Sequence, residues 1–237
     1  MDARRLQYLK ALDIDVWRRR EGAEPVVESL PVGVPVEPVT GKASPPAVAT
    51  LDWTKLESAV RSCTLCELSK TRTQTVFGVG DRAAQWMVIG EAPGADEDRE
   101  GEPFVGRAGQ LLTSMLRAMG LKREQVFIAN ILKCRPPGNR DPSAEEVAHC
   151  LPYLQQQIEL VNPRLILCVG RIAAQNLLQT NTPIGKLRGQ LHRLPGTERP
   201  VVVTYHPAYL LRSPGEKRKA WADLVFAMNT AEGLAPA

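Results

Sequence analysis

Four cysteines of this chain are spaced as two pairs that suit metal or redox chemistry. Cys63 and Cys66 form a Cys-x2-Cys pair, and Cys134 is followed by Cys150 after 15 intervening residues. In a compartment that keeps thiols reduced, such pairs point to a metal centre rather than to disulfides. Four thiolates suit a structural zinc ion or a [4Fe–4S] cluster, and the spacing does not decide between them. The alternative is that Cys134 and Cys150 are ordinary buried thiols, as we expect for Cys168 inside an apolar run.

A second group of residues has the chemistry of a small reactive site. Glu91 offers a carboxylate in a tight Gly-Glu-Ala-Pro-Gly turn, and Asn130 offers an amide that both donates and accepts. Phe104 lies in a predicted loop, where its ring would be exposed unless it stacks on something. His206 precedes a proline, which fixes the backbone that follows. Each residue also has an ordinary explanation: a solvated carboxylate, a turn former, a ring packed on a sheet and a helix cap.

These polar residues follow the strands of a predicted α/β fold. Short apolar runs alternate with helical periodicity, which favours a three-layer sandwich with a central four-stranded parallel sheet. In such sheets ligands bind beyond the carboxyl ends of the strands. Glu91, Asn130, Gly170 and His206 each end or follow one run, so we expect them to converge. The predicted strands are 86–89, 126–129, 165–169 and 201–204, and the predicted helices are roughly 107–119, 143–160, 171–178 and 216–229.

Composition and charge exclude several classes of protein. The chain has 237 residues, of which 43% are hydrophobic, enough for one α/β domain with an appendage. It contains no run of 18 apolar residues and its first residues lack the apolar core of a secretion signal, so we expect a cytoplasmic location and no membrane span. The net charge of +4 is compatible with a nucleic-acid partner.

The first fifty residues differ from the rest. Residues 1–22 carry a helical period, with Leu6, Leu9, Ile14 and Trp17 among its apolar positions, and we interpret them as a partner-binding peptide or helix. Residues 23–50 contain six prolines and no aromatic residue, which is typical of a linker. Seven basic and seven acidic side chains cancel within residues 1–50, so the net positive charge belongs to the predicted domain 51–237.

Residues ~52–229 resemble the family 4 uracil-DNA glycosylases, the iron–sulfur members of that superfamily. The resemblance covers nearly the whole predicted domain and keeps the order of the motifs. It implies that the four cysteines hold a [4Fe–4S] cluster rather than zinc. The matching segments are Cys63–Cys66, Gly90–Gly94, Gly101–Gly109, Asn130–Arg140, Cys150, Lys186–Gly189 and His206–Leu211.

The resemblance also implies a role for each reactive residue. His206 donates to uracil O2 as the base leaves as an anion, and Phe104 is the stacking platform for the flipped base. The Asn130 amide accepts from N3–H and donates to O4, a pattern that cytosine reverses. Glu91 positions the attacking water or stabilises the cationic sugar. Glu97 borders the C5 edge of the base and excludes the methyl group of thymine.

Uracil-containing DNA must also be held and opened. Leu210 and Leu211 are predicted to wedge into the base stack, with Arg212 on a phosphate. Lys186 and Arg188 add positive charge nearby, as do the arginines between 135 and 140. The alternative for these basic residues is a solvated surface.

The segment Arg4–Arg18 resembles a different family, the psi subunit of the bacterial DNA polymerase III clamp loader, whose N-terminal peptide docks on the chi subunit. This resemblance implies that residues 4–20 bind chi, and the alternative is a helix that folds back on its own domain. Two functions therefore compete: a uracil-DNA glycosylase that leaves an abasic site, and a glycosylase-derived psi subunit of the clamp loader. A redox or zinc protein that uses only the cysteines is a third, weaker possibility.

Overall fold

The computed structural model of the chain describes residues 48–234. The predicted peptide 1–22 and residues 23–47 of the predicted linker lie outside the described residues. All described residues belong to one compact unit, Ser44–Ala237.

A mixed six-stranded sheet forms the centre of this unit. The strand order is β1-β3-β2-β4-β6-β5, and the neighbours β3, β2, β4 and β6 are parallel. These four are the predicted strands, and their central parallel arrangement is confirmed. The sequence did not predict β1 and β5, which pair antiparallel at the two edges and are too short to show an apolar pattern. The strands are β1 Val79–Gly80, β2 Trp86–Gly90, β3 Phe127–Asn130, β4 Leu165–Val169, β5 Leu191–Arg193 and β6 Pro200–Thr204.

Strand register brings the predicted reactive residues to one edge of the sheet. Gly90 pairs with Asn130 across β2 and β3, and Val169 pairs with Thr204 across β4 and β6. The β2–β3 contact continues past the strands, because the Gly90 carbonyl accepts from Ile131 N at 2.9 Å and the Glu91 carbonyl from Leu132 N at 3.0 Å. The ends of the two strands are therefore held together where the side chains of Glu91 and Asn130 begin.

Eight α-helices surround the sheet within residues 48–234. The four predicted helices are α3, α4, α5 and α8, and each is confirmed with small differences at its ends. None of the helices in the described part is long and apolar enough to cross a membrane. The helices are α1 Trp53–Arg61, α2 Ala95–Glu100, α3 Arg107–Ala118, α4 Ala144–Val161, α5 Arg171–Leu177, α6 Ile184–Leu187, α7 Pro207–Arg212 and α8 Lys217–Gly233.

The helices cover both faces of the sheet, which confirms the three-layer sandwich. Met87 and Ile89 of β2 pack with apolar residues of α4 and α5, whereas Val88 packs with α3, α7 and α8 on the opposite face. This division follows from the pleat, because successive side chains of a strand point to opposite faces. Since both faces are covered, the central strands are apolar at almost every position.

The folded unit begins earlier than the sequence predicted. Val48 is 5% exposed and packs with Leu56 and Val60 of α1 and Tyr153 of α4. Gln156 Nε2 donates to the Leu51 carbonyl at 2.7 Å, which ties the same segment to α4. The prediction that the linker extends to residue 50 is therefore wrong for its last three residues.

A buried ion pair joins α8 to the segment that follows α6. The Arg188 guanidinium donates to Asp223 from Nε at 2.7 Å and from Nη2 at 2.9 Å, and it lies 4.2 Å over the Tyr205 ring. Thr204, at the end of β6, donates its hydroxyl to Asp223 at 2.8 Å. Arg188 was predicted to contact DNA, and this is corrected: its guanidinium is already paired and only 11% exposed.

We expect Arg188→Ala to lower the free energy of unfolding by about 3 kcal/mol, because it leaves the Asp223 carboxylate buried without its cation. Arg193→Ala is the matched control, since the Arg193–Glu198 pair is exposed and its loss costs under about 1 kcal/mol. Urea unfolding of the full chain measures both. Equal stability of the two variants would show that the Arg188–Asp223 pair does not hold this part of the fold.

Candidate active site

A cavity of about 420 Å³ opens beyond the carboxyl ends of the parallel strands. Its size suits a ligand as small as a single base with part of its sugar. It lies at the edge of the sheet where the carboxyl ends of β2 and β3, and of β4 and β6, are aligned. Ligands of α/β proteins usually bind at this edge. Six of the residues predicted for the site line it: Glu91, Glu97, Phe104, Asn130, His206 and Arg212.

His206 enters this cavity as a neutral imidazole with a defined tautomer. It is the N-cap of α7, and its Nδ1 accepts from the backbone N–H of Ala208 at 3.1 Å. The remaining proton of the neutral ring is therefore on Nε2. Burial, assisted by the positive charge of Arg212, lowers the pKa of His206 to about 4. The ring is thus an uncharged N–H donor at neutral pH.

Phe104 presents its ring to the same cavity from a strained backbone. Its φ of 56° lies in the left-handed region, which is rare for an aromatic residue, and the side chain is 7% exposed. The ring centroid lies 5.6 Å from that of His206, with 30° between the planes. The ring is therefore stacked on His206, as we expected of an aromatic residue in this loop. The strained backbone of Phe104 must be imposed by the contacts around it.

Gly90 allows the ring and an amide to approach each other. A Cβ at Gly90 would lie 2.4 Å from Asn130 Oδ1 and 2.6 Å from Phe104 Cζ, both closer than real side chains allow. Asn130 is 2% exposed, and its side-chain amide makes no hydrogen bond within residues 48–234. A hydrogen bond from buried Lys133 holds the backbone of Asn130, because Lys133 Nζ donates to the Asn130 carbonyl at 2.9 Å. An amide with free donor and acceptor atoms thus faces the cavity beside an aromatic platform.

Glu91 carries its carboxylate at the cavity wall with a strongly shifted pKa. Burial raises the pKa of Glu91 to about 7, the nearby charge of Asp141 adds to the rise, and Arg171 opposes it. Arg171 donates to Asp141 at 2.9 Å, so the two modulators are themselves paired. A carboxyl group with a pKa close to neutrality can take up and release a proton, as a general base must.

Glu97 lines the cavity and also binds the backbone around it. Its Oε2 accepts from Gly94 N at 3.0 Å, and its Oε1 accepts from Val105 N at 3.1 Å and Gly106 N at 3.3 Å. Both carboxylate oxygens are therefore bound to backbone N–H groups of the chain. Glu97 thus braces the loop that carries Phe104, and its role as a wall against the C5 edge of a base stays a prediction.

The predicted DNA contacts divide into buried and exposed residues. Leu210 is 1% exposed and packs in the core between α7 and the sheet, so the prediction that it wedges into DNA is wrong. Leu211 is half-buried on the same helix, and Arg212 and Lys186 are exposed. These three side chains can be reached by a ligand outside the cavity.

The four predicted cysteine ligands come from three parts of the chain and approach one another. Cys63 and Cys66 follow α1, Cys134 follows β3, and Cys150 lies on α4. Burial raises the pKa of Cys134, and charges on Cys66 and Cys63 add to this rise while Arg72 opposes it. Charges on Cys134 and Cys66 likewise add to the effect of burial on the pKa of Cys150. Burial is the largest cause for Cys150 and raises the pKa of its thiol to about 12, so this thiol ionises only if a cation or metal stabilises the thiolate.

Hydrogen-bond donors lie beside two of these sulfurs, which suits a centre built from thiolates. Arg72 Nη1 donates to Cys134 Sγ at 3.0 Å, and the backbone N–H of Lys133 donates to Cys150 Sγ at 3.4 Å. Across residues 48–234, however, no three His, Cys, Asp or Glu side chains are arranged around one point as ligands of a single metal ion. Cys168 is fully buried in β4, which confirms the prediction that it is a core residue.

Four residues of the site were not predicted from the sequence: Arg72, Lys133, Asp141 and Arg171. Lys133 had a signal, because it lies between Asn130 and Cys134 in an otherwise apolar and chemically rich segment. Asp141 and Arg171 each follow a segment that was singled out, but only the fold brings them to Glu91. Arg72 had no signal beyond its position six residues after Cys66.

Comparison with known proteins agrees with this site. The model of the uracil DNA glycosylase superfamily matches residues 77–225. A type-4 uracil-DNA glycosylase of Archaeoglobus fulgidus is 49% identical over 170 residues, covering 69% of this chain and 85% of the relative. That of Pyrobaculum aerophilum is 43% identical over 180 residues, covering 73% and 92%, and that of Thermotoga maritima is 44% identical over 155 residues, covering 65% and 80%. The chain therefore belongs to the uracil DNA glycosylase superfamily and, within it, to the type-4 uracil-DNA glycosylases.

Proposed function

We propose that this uracil-DNA glycosylase takes a flipped deoxyuridine into the cavity and hydrolyses its N-glycosidic bond with Glu91, Asn130 and His206. The observation that carries the proposal is that a neutral His206 donor, a free Asn130 amide and the Phe104 ring line one cavity. Excision of uracil requires a stacking surface, a reader of the base edge and a stabiliser of the leaving anion. These three requirements match the three side chains.

The chemical step breaks the bond between C1′ of the sugar and N1 of uracil. The electron pair stays with the base, whose negative charge is shared with O2, and the Nε2–H of His206 donates to that oxygen. Because the ring is neutral, it stabilises the anion by a hydrogen bond and keeps its proton. Water adds to C1′, and ionised Glu91 takes the proton that the water loses.

Recognition of the base rests on Asn130. Its carbonyl oxygen accepts from uracil N3–H and its amino group donates to O4, and cytosine would oppose both contacts. Because the site is buried, a wrong base leaves these groups unpaired, which makes the discrimination strong. Phe104 supplies stacking that any base would gain, so it adds binding rather than selectivity.

We place the contacts to the DNA around the mouth of the cavity. Arg212 and Lys186 contact phosphates, and Leu211 replaces the extruded nucleotide in the base stack. The exposure of the three side chains supports these roles.

We propose a [4Fe–4S] cluster on Cys63, Cys66, Cys134 and Cys150. Cysteine thiolates are the usual protein ligands of such a cluster, and these four thiols lie close enough for the charges of some to act on others. Cys63, Cys66, Cys134 and Cys150 would hold the cluster and so link the segments after α1 and β3 to α4, while Arg72 and Lys133 would offset the thiolate charge.

Two further proposals rest on sequence patterns alone. Residues 4–20 bind the chi subunit of the DNA polymerase III clamp loader, and the protein is cytoplasmic. The first would tether a repair enzyme to the replication machinery through residues 23–47. It adds a partner and leaves uracil excision as the activity.

His206→Ala should slow single-turnover release of uracil by about 10²–10³-fold, because the leaving anion loses its donor. The dissociation constant for uracil-containing DNA should change little, since phosphate contacts dominate affinity. His149→Ala is the matched control, because His149 lies on α4 outside the cavity lining and contacts Glu145 at 3.7 Å. Equal losses of rate and affinity in His206→Ala would contradict the catalytic role.

The single-turnover rate should rise with pH and level off above about pH 7. Glu91 has a raised pKa of about 7, so its ionised form accumulates only above that pH, and below it the rate should fall about tenfold per pH unit. His206 stays neutral throughout this range because its pKa is about 4. Glu91→Gln should be slow and independent of pH.

The neighbours of Glu91 provide controls of opposite sign. Asp141→Asn should move the midpoint of the pH profile down, and Arg171→Met should move it up, because their charges act in opposite directions on Glu91. Single-turnover rates measured by rapid quench from about pH 5.5 to about pH 8.5 test this, because that range lies on both sides of the pKa of Glu91. If Glu91→Gln showed the same pH profile as the wild type, Glu91 would not be the titrating group.

Purified full-length protein should contain about four iron atoms per chain and absorb broadly near 400 nm. Cys150→Ser should lose most of the iron, whereas Cys168→Ser should keep it, because Cys168 is fully buried in β4 and its pKa is raised by burial, with no contribution from the other four thiols. Metal analysis of both variants measures this. One zinc ion per chain in the wild type would contradict the proposed cluster.

A further inference from the structure

The loop that carries Phe104 is held in a conformation that its own sequence does not favour. The left-handed backbone of a non-glycine residue costs of order 1–2 kcal/mol, and Phe104 adopts it at φ 56°. A loop free to relax would move the ring out of the cavity. The contacts of the residues on either side of Phe104 therefore decide where the ring lies.

Three contacts oppose this relaxation. On the C-terminal side, Glu97 Oε1 accepts from the N–H groups of Val105 and Gly106. The Phe104 carbonyl lies against α3, where a Cβ at Gly109 would be only 1.7 Å from its oxygen. On the N-terminal side, Arg123 Nη2 donates to the carbonyl of Pro103.

Arg123 is the unexpected member of this set. It comes from the turn before β3, 20 residues from the carbonyl that it binds. Its Nη1 is buried and has no hydrogen-bond partner within residues 48–234. A buried nitrogen without a partner destabilises a fold, so this arginine is poorly explained by stability alone. Three carboxylates, Glu97, Glu102 and Glu124, lie near enough for their charges to act on it.

We propose that Arg123 is a positioning residue for uracil excision: together with Glu97 it clamps residues 103–106 so that the Phe104 ring stays in the cavity beside His206. This rests on the proposed function for its effect on rate. The geometry of the clamp does not depend on it. Arg123 touches neither the base nor the sugar and acts only through Phe104.

The test compares Arg123→Met, Arg123→Lys and Phe104→Leu, alone and combined, in the full chain. Arg123→Met should slow single-turnover uracil release about tenfold, the usual effect of losing one charge-assisted hydrogen bond. Arg123→Lys should recover most of the rate, because it keeps a cationic donor. Arg123→Met added to Phe104→Leu should cost almost nothing further, since both act through the same ring. The matched control is Arg117→Met, at the exposed end of α3.

A second measurement needs no catalysis. The Phe104 ring lies 5.6 Å from the His206 ring, so its ring current shifts the carbon-bound protons of the imidazole in the NMR spectrum. Arg123→Met should move these resonances toward their positions in Phe104→Leu, and Arg117→Met should leave them in place. A wild type that releases no uracil would overturn the proposed function, while this measurement still decides on the clamp.

Three outcomes would overturn the clamp. One is a rate for Arg123→Met equal to that of Arg117→Met. Another is a double variant in which the two losses multiply, because that would mean Arg123 acts independently of Phe104. The third is an unchanged His206 resonance in Arg123→Met. If Arg123→Met fails to fold, Arg123→Gln replaces it in the same three comparisons, because its shorter, uncharged side chain also loses the charge-assisted hydrogen bond to Pro103.

Discussion

The active site depends on a side chain that is absent. Gly90 ends β2 where that strand is hydrogen-bonded to the end of β3, and any Cβ there would collide with both Asn130 and Phe104. Parallel register brings Gly90 opposite Asn130, and the space that glycine leaves admits the aromatic ring from the following loop. The residues proposed for base recognition and base stacking therefore come together because two strands end in register and one of them ends without a side chain.

Desolvation then shifts the pKa values of the two ionisable residues of the cavity in opposite directions. The same burial that keeps His206 neutral also holds back ionisation of Glu91, since each loses hydration of its charged form. A donor that stays neutral and a carboxylate that ionises near pH 7 are what anion departure and water attack require. Arg212, Asp141 and Arg171 adjust this balance from the rim. The cavity thus obtains both acid–base properties from one environment.

The sequence predicted the parts of this structure that are local or periodic. Apolar runs gave the four parallel strands, and motif residues at their ends were placed correctly at one cavity. Predictions failed where a side chain had two possible partners. Leu210 was predicted to enter DNA and lies in the core, and Arg188 pairs with Asp223, 35 residues away. Only the three-dimensional fold decides which partner such residues meet.

Hydrogen bonds fix the length of the segment from Asn130 to Cys134. Ile131 and Leu132 donate their N–H groups to the carbonyls of Gly90 and Glu91, and Lys133 binds the Asn130 carbonyl with its ammonium and Cys150 with its backbone N–H. Each residue between Asn130 and the third cysteine is therefore held by at least one hydrogen bond. Surface loops usually tolerate a change of length, but one residue more or fewer here would shift either the amide or the sulfur out of place. The length of this segment therefore sets the distance between the cavity and the cysteines.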